Sequence, residues 1–189
     1  MTNPKSLPDQ QNLINQSAKL LQQNRPGEAV AMLEPLYQQS PTNPDIAINL
    51  GGAYILQRKW DRAVRVLQKA AEANPANAML WVNLAAAYLG NIQTAGPRQQ
   101  DRAIRAYERA LKIAPDAPNV HYHLGLIYKE RGDLKRAITF FQRALDVRAT
   151  DEDARYWLDK LMTLDAAAQQ ATATDTATRD QAADDGAVR

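Results

Sequence analysis

The side chains most able to do chemistry in this chain are few, and their spacing keeps them apart. Histidine occurs only as His121 and His123. Two residues apart on a helix, they point in different directions and do not close on one metal ion. The serines Ser6, Ser17 and Ser40 have no histidine placed to activate them. Asp151, Glu152 and Asp153 form a carboxylate cluster, but at a helix start, where carboxylates cap free N–H groups and complement the helix dipole. Gly51-Gly52 falls inside a helical segment and lacks the G-K-[ST] that follows in a phosphate-binding loop. The absence of cysteine excludes disulfides, thiolate metal sites and cysteine nucleophiles. These residues predict a chain that is not an enzyme and that takes no cofactor and no metal.

The elements that position these side chains are helices. Ala, Leu, Gln and Arg are abundant, and all lose little side-chain freedom in a helix. A chain of 189 residues supports one domain with a sizeable core. A net charge of +2 points by itself to neither nucleic acid nor membrane. No early apolar run suits a signal peptide and no later one spans a bilayer, so the expected location is cytoplasmic.

Pro41 and Pro75 each close an apolar helical segment and lie 34 residues apart. The same interval separates Ala29 from Ala63, Leu33 from Leu67, Leu50 from Leu84 and Tyr54 from Tyr88. Between Tyr88 and Ala103 the spacing is six residues longer than between Tyr54 and Ala63, which marks an insertion. The register resumes at Leu124, Gly125, Tyr128, Ala137, Phe141 and Ala144. Asn43, Asn77 and Asp151 stand in phase as helix N-caps, with Pro44 and Pro118 at the first helical position. Asn24 and Gly132 suit left-handed turns that end first helices.

This pattern resembles the tetratricopeptide repeat, whose signature is W-x2-L-G-x2-Y followed by A-x3-F, a small residue and Pro. Residues 44–77 carry Leu50, Gly51, Tyr54, Ala63, Leu67, Ala70 and Pro75. Residues 78–117 carry Trp81, Leu84, Ala85, Tyr88, Ala103, Tyr107, Ala110 and Pro115. Residues 118–151 form a fourth repeat with Ala149 in place of the closing Pro, and His121 takes the slot of Trp81, as a core-facing residue. Residues 10–43 form a degenerate first repeat, with Gln16, Ser17 and Leu20 in the L-G-Y slots. The resemblance implies an all-α fold, a right-handed superhelical solenoid of four helix-turn-helix pairs. Residues 152–170 read as a capping helix, with Ala154, Trp157, Leu158, Leu161 and Met162 as its apolar stripe. Residues 1–9 and 171–189 are expected to be disordered. The insertion, 90–100, reads as a polar surface loop broken by Gly96-Pro97.

In that family the first helix of each pair lines a concave groove that selects a protein partner. The sixth slot of each repeat holds Asn15, Asn49 and Asn83, then His123 and Trp157. An amide donates and accepts, so such a column suits the backbone of a bound peptide. The alternative is that these amides bond a neighbouring helix or water. The fifth slot holds Ile14, Ile48 and Val82, an apolar column that, with Met79, Ile55 and Leu89 nearby, would take ligand side chains, and Tyr122 and Tyr156 continue it. The family's carboxylate clamp is not expected, because its cation slots hold Ile14, Met79 and Asn83.

Second helices carry a basic ladder instead. Arg62, Arg102 and Arg136 fill one slot, Arg65 and Arg105 another, and Lys69, Arg109 and Arg143 a third. Its bland reading is a solvated face paired to Asp61, Asp101 and Glu108, and its functional reading is a surface for an acidic protein, RNA or an anionic lipid surface. The reading that follows is a protein-interaction scaffold or assembly chaperone. The alternatives are a factor that meets RNA or an anionic membrane through the basic ladder, and a self-associating structural protein.

Overall fold

The computed structural model describes the backbone of residues 7–187 and the side chains of residues 9–170. Of the segments expected to be disordered, residues 1–6 and 188–189 lie outside the described residues, whereas 7–9 and 171–187 are helical. Among the described residues, all regular structure is helical: α1 (Leu7–Gln22), α2 (Pro26–Gln39), α3 (Pro44–Leu56), α4 (Trp60–Ala73), α5 (Ala78–Leu89), α6 (Pro97–Ile113), α7 (Val120–Glu130), α8 (Leu134–Val147) and α9 (Glu152–Ala187). The chain divides into two compact units, one through Val120 and one from His121.

Helix boundaries follow local chemistry. The Asn43 side chain accepts from the N–H of Asp45 at 3.0 Å and of Ile46 at 3.2 Å, with Pro44 opening α3. Asn77 accepts from the Leu80 N–H at 3.3 Å, and Asp151 from the Ala154 N–H at 3.0 Å. Three of the four first helices, α1, α3 and α7, end alike. Asn24, Arg58 and Gly132 take positive φ, and the next N–H reaches back to the carbonyl of Leu20, Tyr54 or Tyr128. This is the left-handed cap that satisfies stranded carbonyls.

Three boundaries differ from the sequence expectation. Pro118 does not open α7, because Asn119 adopts φ +61° and delays the helix to Val120. Pro97 does not belong to the loop. It opens α6, which has 17 residues against 14 in α2, α4 and α8. A proline at the first helical position lacks an N–H that would have no partner there, and the Gln99 side chain accepts from the Gly96 N–H at 2.9 Å. The last helix runs to Ala187 rather than ending at 170, in a stretch rich in Ala, the best helix former.

In the first unit each helix packs on the next, and α3 also touches both α1 and α5. The first helices thus lie side by side, with the second helices behind them. The core repeats with the sequence. Ala29, Ala63 and Ala103 are fully buried, as are Leu33, Leu67 and Tyr107 four positions on. Close approach depends on small residues. A Cβ on Gly51 would sit 2.5 Å from Leu67 Cγ, so only glycine lets α4 come this near. Ser17 fills the same slot in the first pair, fully buried, its hydroxyl donating to the Ile14 carbonyl at 2.6 Å.

The second unit repeats the scheme. Ala137 and Phe141 are buried, and Gly125 leaves room for the Phe141 ring. Tyr128 stacks on Phe140 with centroids 5.4 Å apart and planes within 4°. Helix α9 packs on α8 through a face that buries Ala154, Leu158 and Leu161. Met162, expected on that stripe, is 54% exposed, because its direction is not covered by α8.

Candidate functional site

The inner wall of the first unit is built by α1, α3 and α5. On α3 it offers Ile48, Asn49, Gly52 and Ile55, all partly exposed. On α5 it offers Val82, Asn83 and Ala86, partly exposed, and Met79, exposed. None of these eight residues is ionisable, but Asp45, in the slot of Met79 one repeat earlier, is an exposed carboxylate at the start of α3. Two residues expected here belong elsewhere: Ile14 and Leu89 are buried and unavailable to a ligand. Helix-to-helix contact covers them, which the slot pattern does not distinguish from a groove. Met79 also lines an open cleft of about 550 Å³ with Asn74, Pro75, Asn77 and Ile113.

The amides on this wall are not equivalent. Asn15 is exposed and accepts from Gln11 Nε2 at 3.2 Å within α1. Asn49 reaches across to α1, donating from Nδ2 to the Ile14 carbonyl at 3.3 Å and to Ser17 Oγ at 3.4 Å. Asn83 donates to the Met79 carbonyl at 2.9 Å within α5. Asn49 therefore ties two helices together, and its carbonyl oxygen retains acceptor capacity.

In the second unit Tyr122, His123 and Trp157 are half-buried. The Tyr122 ring meets Phe141 and His123 edge-on, with centroids 5.8 and 5.7 Å away. Burial lowers the pKa of the His123 imidazole and keeps it neutral at pH 7. Lys129 Nζ lies 4.3 Å from the centre of the Trp157 ring. His121 is also half-buried, its pKa lowered by burial and by Arg143, and it faces Phe140 at 6.3 Å.

The outer ladder is organised by aromatic rings, a feature that sequence reasoning missed. Arg62 lies 5.8 Å from the Tyr54 ring centre, Arg102 3.9 Å from Tyr88, and Arg136 4.4 Å from Tyr128. These three arginines share one slot and the three tyrosines another, so the pair recurs with the repeat. The third slot stacks too, with Arg109 4.3 Å over Trp81 and Arg143 5.6 Å from Phe140. Carboxylate partners are Glu34 for Arg62 at 3.8 Å and Asp133 for Arg136 at 2.5 Å. The tyrosine hydroxyls continue the network, Tyr54 to Glu34 and Tyr88 to Gln68. Arg65, Lys69 and Arg105 are exposed. Among the described residues no group of three His, Asp or Glu side chains is arranged to hold a metal, and no helix is long and apolar enough to cross a membrane.

Comparison with known proteins agrees with this architecture. Two family models described as Tetratricopeptide repeat match residues 20–87 and 118–150, and one described as TPR repeat matches 99–130. No curated protein matches the chain. Among solved structures it is similar to TTC0263, a thermophilic TPR protein in Thermus thermophilus, at 20% identity over 80% of each chain and a TM-score of 0.69. It is similar to MamA MSR-1 C2 at 27% identity, over 71% of this chain and 74% of that one, with a TM-score of 0.57. It also resembles a chain of the APC/C hetero-tetramer Cut9-Hcn1 at 20% identity, over 79% of this chain and 29% of that one, with a TM-score of 0.69.

Proposed function

Because the chain belongs to the tetratricopeptide repeat family, we propose that it is a non-enzymatic scaffold or assembly chaperone that holds a segment of a partner protein on the inner wall of its first unit. The observation that carries this reading is the chemistry of that wall. Apolar Ile48, Ile55, Val82 and Met79 alternate with the amides of Asn49 and Asn83, and the one ionisable residue in these slots of α3 and α5, Asp45, is exposed in the first turn of α3. A ligand charge buried there would lack a counter-ion, so the wall suits an uncharged apolar segment. The amides supply donors and acceptors to its peptide groups. Tyr122, His123 and Trp157 are read as a separate contact surface on the second unit. Cut9-Hcn1, a hetero-tetramer, is in keeping with a fold that works within assemblies of unlike chains.

The test is capture of the partner on the immobilised chain, then titration of the recovered protein against wild type, Asn83→Ala and the Asn49→Ala, Asn83→Ala pair. Among the described residues Asn83 bonds within its own helix, so its loss is expected to weaken binding severalfold without lowering the melting temperature. The pair is expected to weaken binding further and to cost about 1 kcal/mol of stability, because Asn49 also bonds α1. Unchanged affinity in both variants overturns the groove reading.

A further inference from the structure

We propose that the outer face of α6 is a second docking site, and that its ligand is an acidic helix of a partner protein. The proposal does not depend on the inner wall. Helix α6 carries Arg98, Arg102, Arg105, Arg109 and Lys112, spaced four, three, four and three residues apart, and all five are exposed. At about 100° per residue they fall within an arc of roughly 80°, a single stripe along the helix. Its length is about 21 Å at a rise of ~1.5 Å per residue.

Two features, its length and its lack of ion pairs among the described residues, set this stripe apart from the rest of the ladder, while ring stacking is shared with the other repeats. The early start of α6 at Pro97 adds Arg98 to it, an extra turn that α4 and α8 do not have. Arg102 and Arg109 are stacked on the rings of Tyr88 and Trp81, which hold their guanidinium planes in place at little further entropy cost. None of the five forms an ion pair among the described residues, whereas in α4 Arg62 pairs with Glu34 and Glu72 occupies the slot of Lys112.

The shape of the stripe selects the partner. It is one helix wide, and Asp101 and Glu108 lie on the same helix about 20° and 40° beyond one edge. The Glu108 carboxylate stands against a broad polyanion, such as a duplex or a lipid surface, that would span both it and the stripe, and bears less on a ligand centred on the stripe. The spacing alternates four and three, the interval at which one helix face meets another in a shallow crossing. A helix with carboxylates at the same intervals would pair with each cation in turn, and a stacked guanidinium can donate two hydrogen bonds to one carboxylate.

The experiment uses the full chain and a fluorescein-labelled Ala-based helical peptide with glutamates spaced four, three, four and three. Its comparators are a peptide of the same composition with the glutamates spread around the helix, an oligouridine, and phosphatidylserine vesicles. At about 50 mM salt the in-register peptide is expected to bind roughly fivefold more tightly than the scrambled one, and more tightly than RNA or vesicles. Substituting Arg98→Glu, Arg105→Glu and Lys112→Glu together, positions that leave the stacked arginines intact, should weaken it about tenfold. The corresponding Gln triple, which guards against a folding defect, should fall between. Arg65→Glu with Lys69→Glu on α4 should change affinity less than about twofold. Equal binding of the two peptides, indifference to the α6 substitutions, or a preference for RNA or vesicles overturns the proposal.

Discussion

Asp151 shows how much a single side chain joins in this fold. It is buried at the start of α9, where it accepts from the Ala154 N–H and pairs with Arg148. Burial alone would raise its pKa. The N–H of Ala154, the Arg148 guanidinium and the N–H of Asp153 outweigh that and hold the carboxyl below its ordinary value. A depressed pKa means stability that is present above the unfolded value of about 3.9 and is lost as pH falls through the folded value. Asp151→Ala is therefore expected to cost about 1 kcal/mol at pH 7. That difference should shrink in melts recorded near pH 3, where wild type has lost the charge as well. Asp151→Asn should cost less, since Asn43 and Asn77 cap their helices from the same slot. A penalty for Asp151→Ala that is the same at both pH values would refute the charged-cap account. Caps of this kind are legible in sequence, because the bond closes within three residues. The bond from Asn49 to α1 is not, since it spans 35 residues and depends on how two helices meet. The same limit hid the arginine stacking. The arginine and tyrosine slots repeat visibly, but only packing shows that one lies over the other.

At the scale of the element, the adjacent glycines of α3 separate packing from helix propensity. A Cβ on Gly51 would strike Leu67, which is fully buried and has nowhere to go. A Cβ on Gly52 meets nothing nearer than Leu21 Cδ1 at 3.9 Å. Both substitutions to Ala gain up to about 1 kcal/mol of helix propensity. At Gly51 the Cβ would meet three Leu67 carbons at 2.5–2.7 Å, and overpacking of about 1–3 kcal/mol outweighs that gain. Gly51→Ala should therefore lower the denaturant midpoint and Gly52→Ala should raise it. A destabilising Gly52→Ala would mean that the inner wall closes on itself more tightly than the helix positions imply. The helix pairs, their turns and their small-residue contacts follow from periodicity, so the sequence predicts them well. Boundaries set by one residue's backbone are harder. Pro97 and Pro118 look alike as helix starters, yet only Pro97 acts as one, because Asn119 turns left-handed after Pro118.

At the scale of the whole molecule, stacked pairs communicate through their neighbours, so a disturbance at one end should fade along the chain. Helix α9 gives a direct test. It buries Leu158, Leu161 and Ala154, and packs on α8. Each leucine contributes roughly 1.5–3 kcal/mol by leaving water, before the entropy of ordering the helix is subtracted. Removing residues 152–189 also deletes the ring of Trp157 that lies beside Lys129. Amide hydrogen exchange in α8 should then quicken by about a hundredfold or more, because its protection is set by local opening. Amides in α3 and α4, in the other compact unit, should change by no more than about threefold. Equal loss of protection in α3, α4 and α8 would show a single cooperative structure in which the cap stabilises every helix alike. The graded outcome carries a functional consequence. The inner wall of the first unit would then keep its geometry whatever happens at α9, so affinity for a peptide of the segment held there, apart from any contact with Trp157, should match that of the full chain.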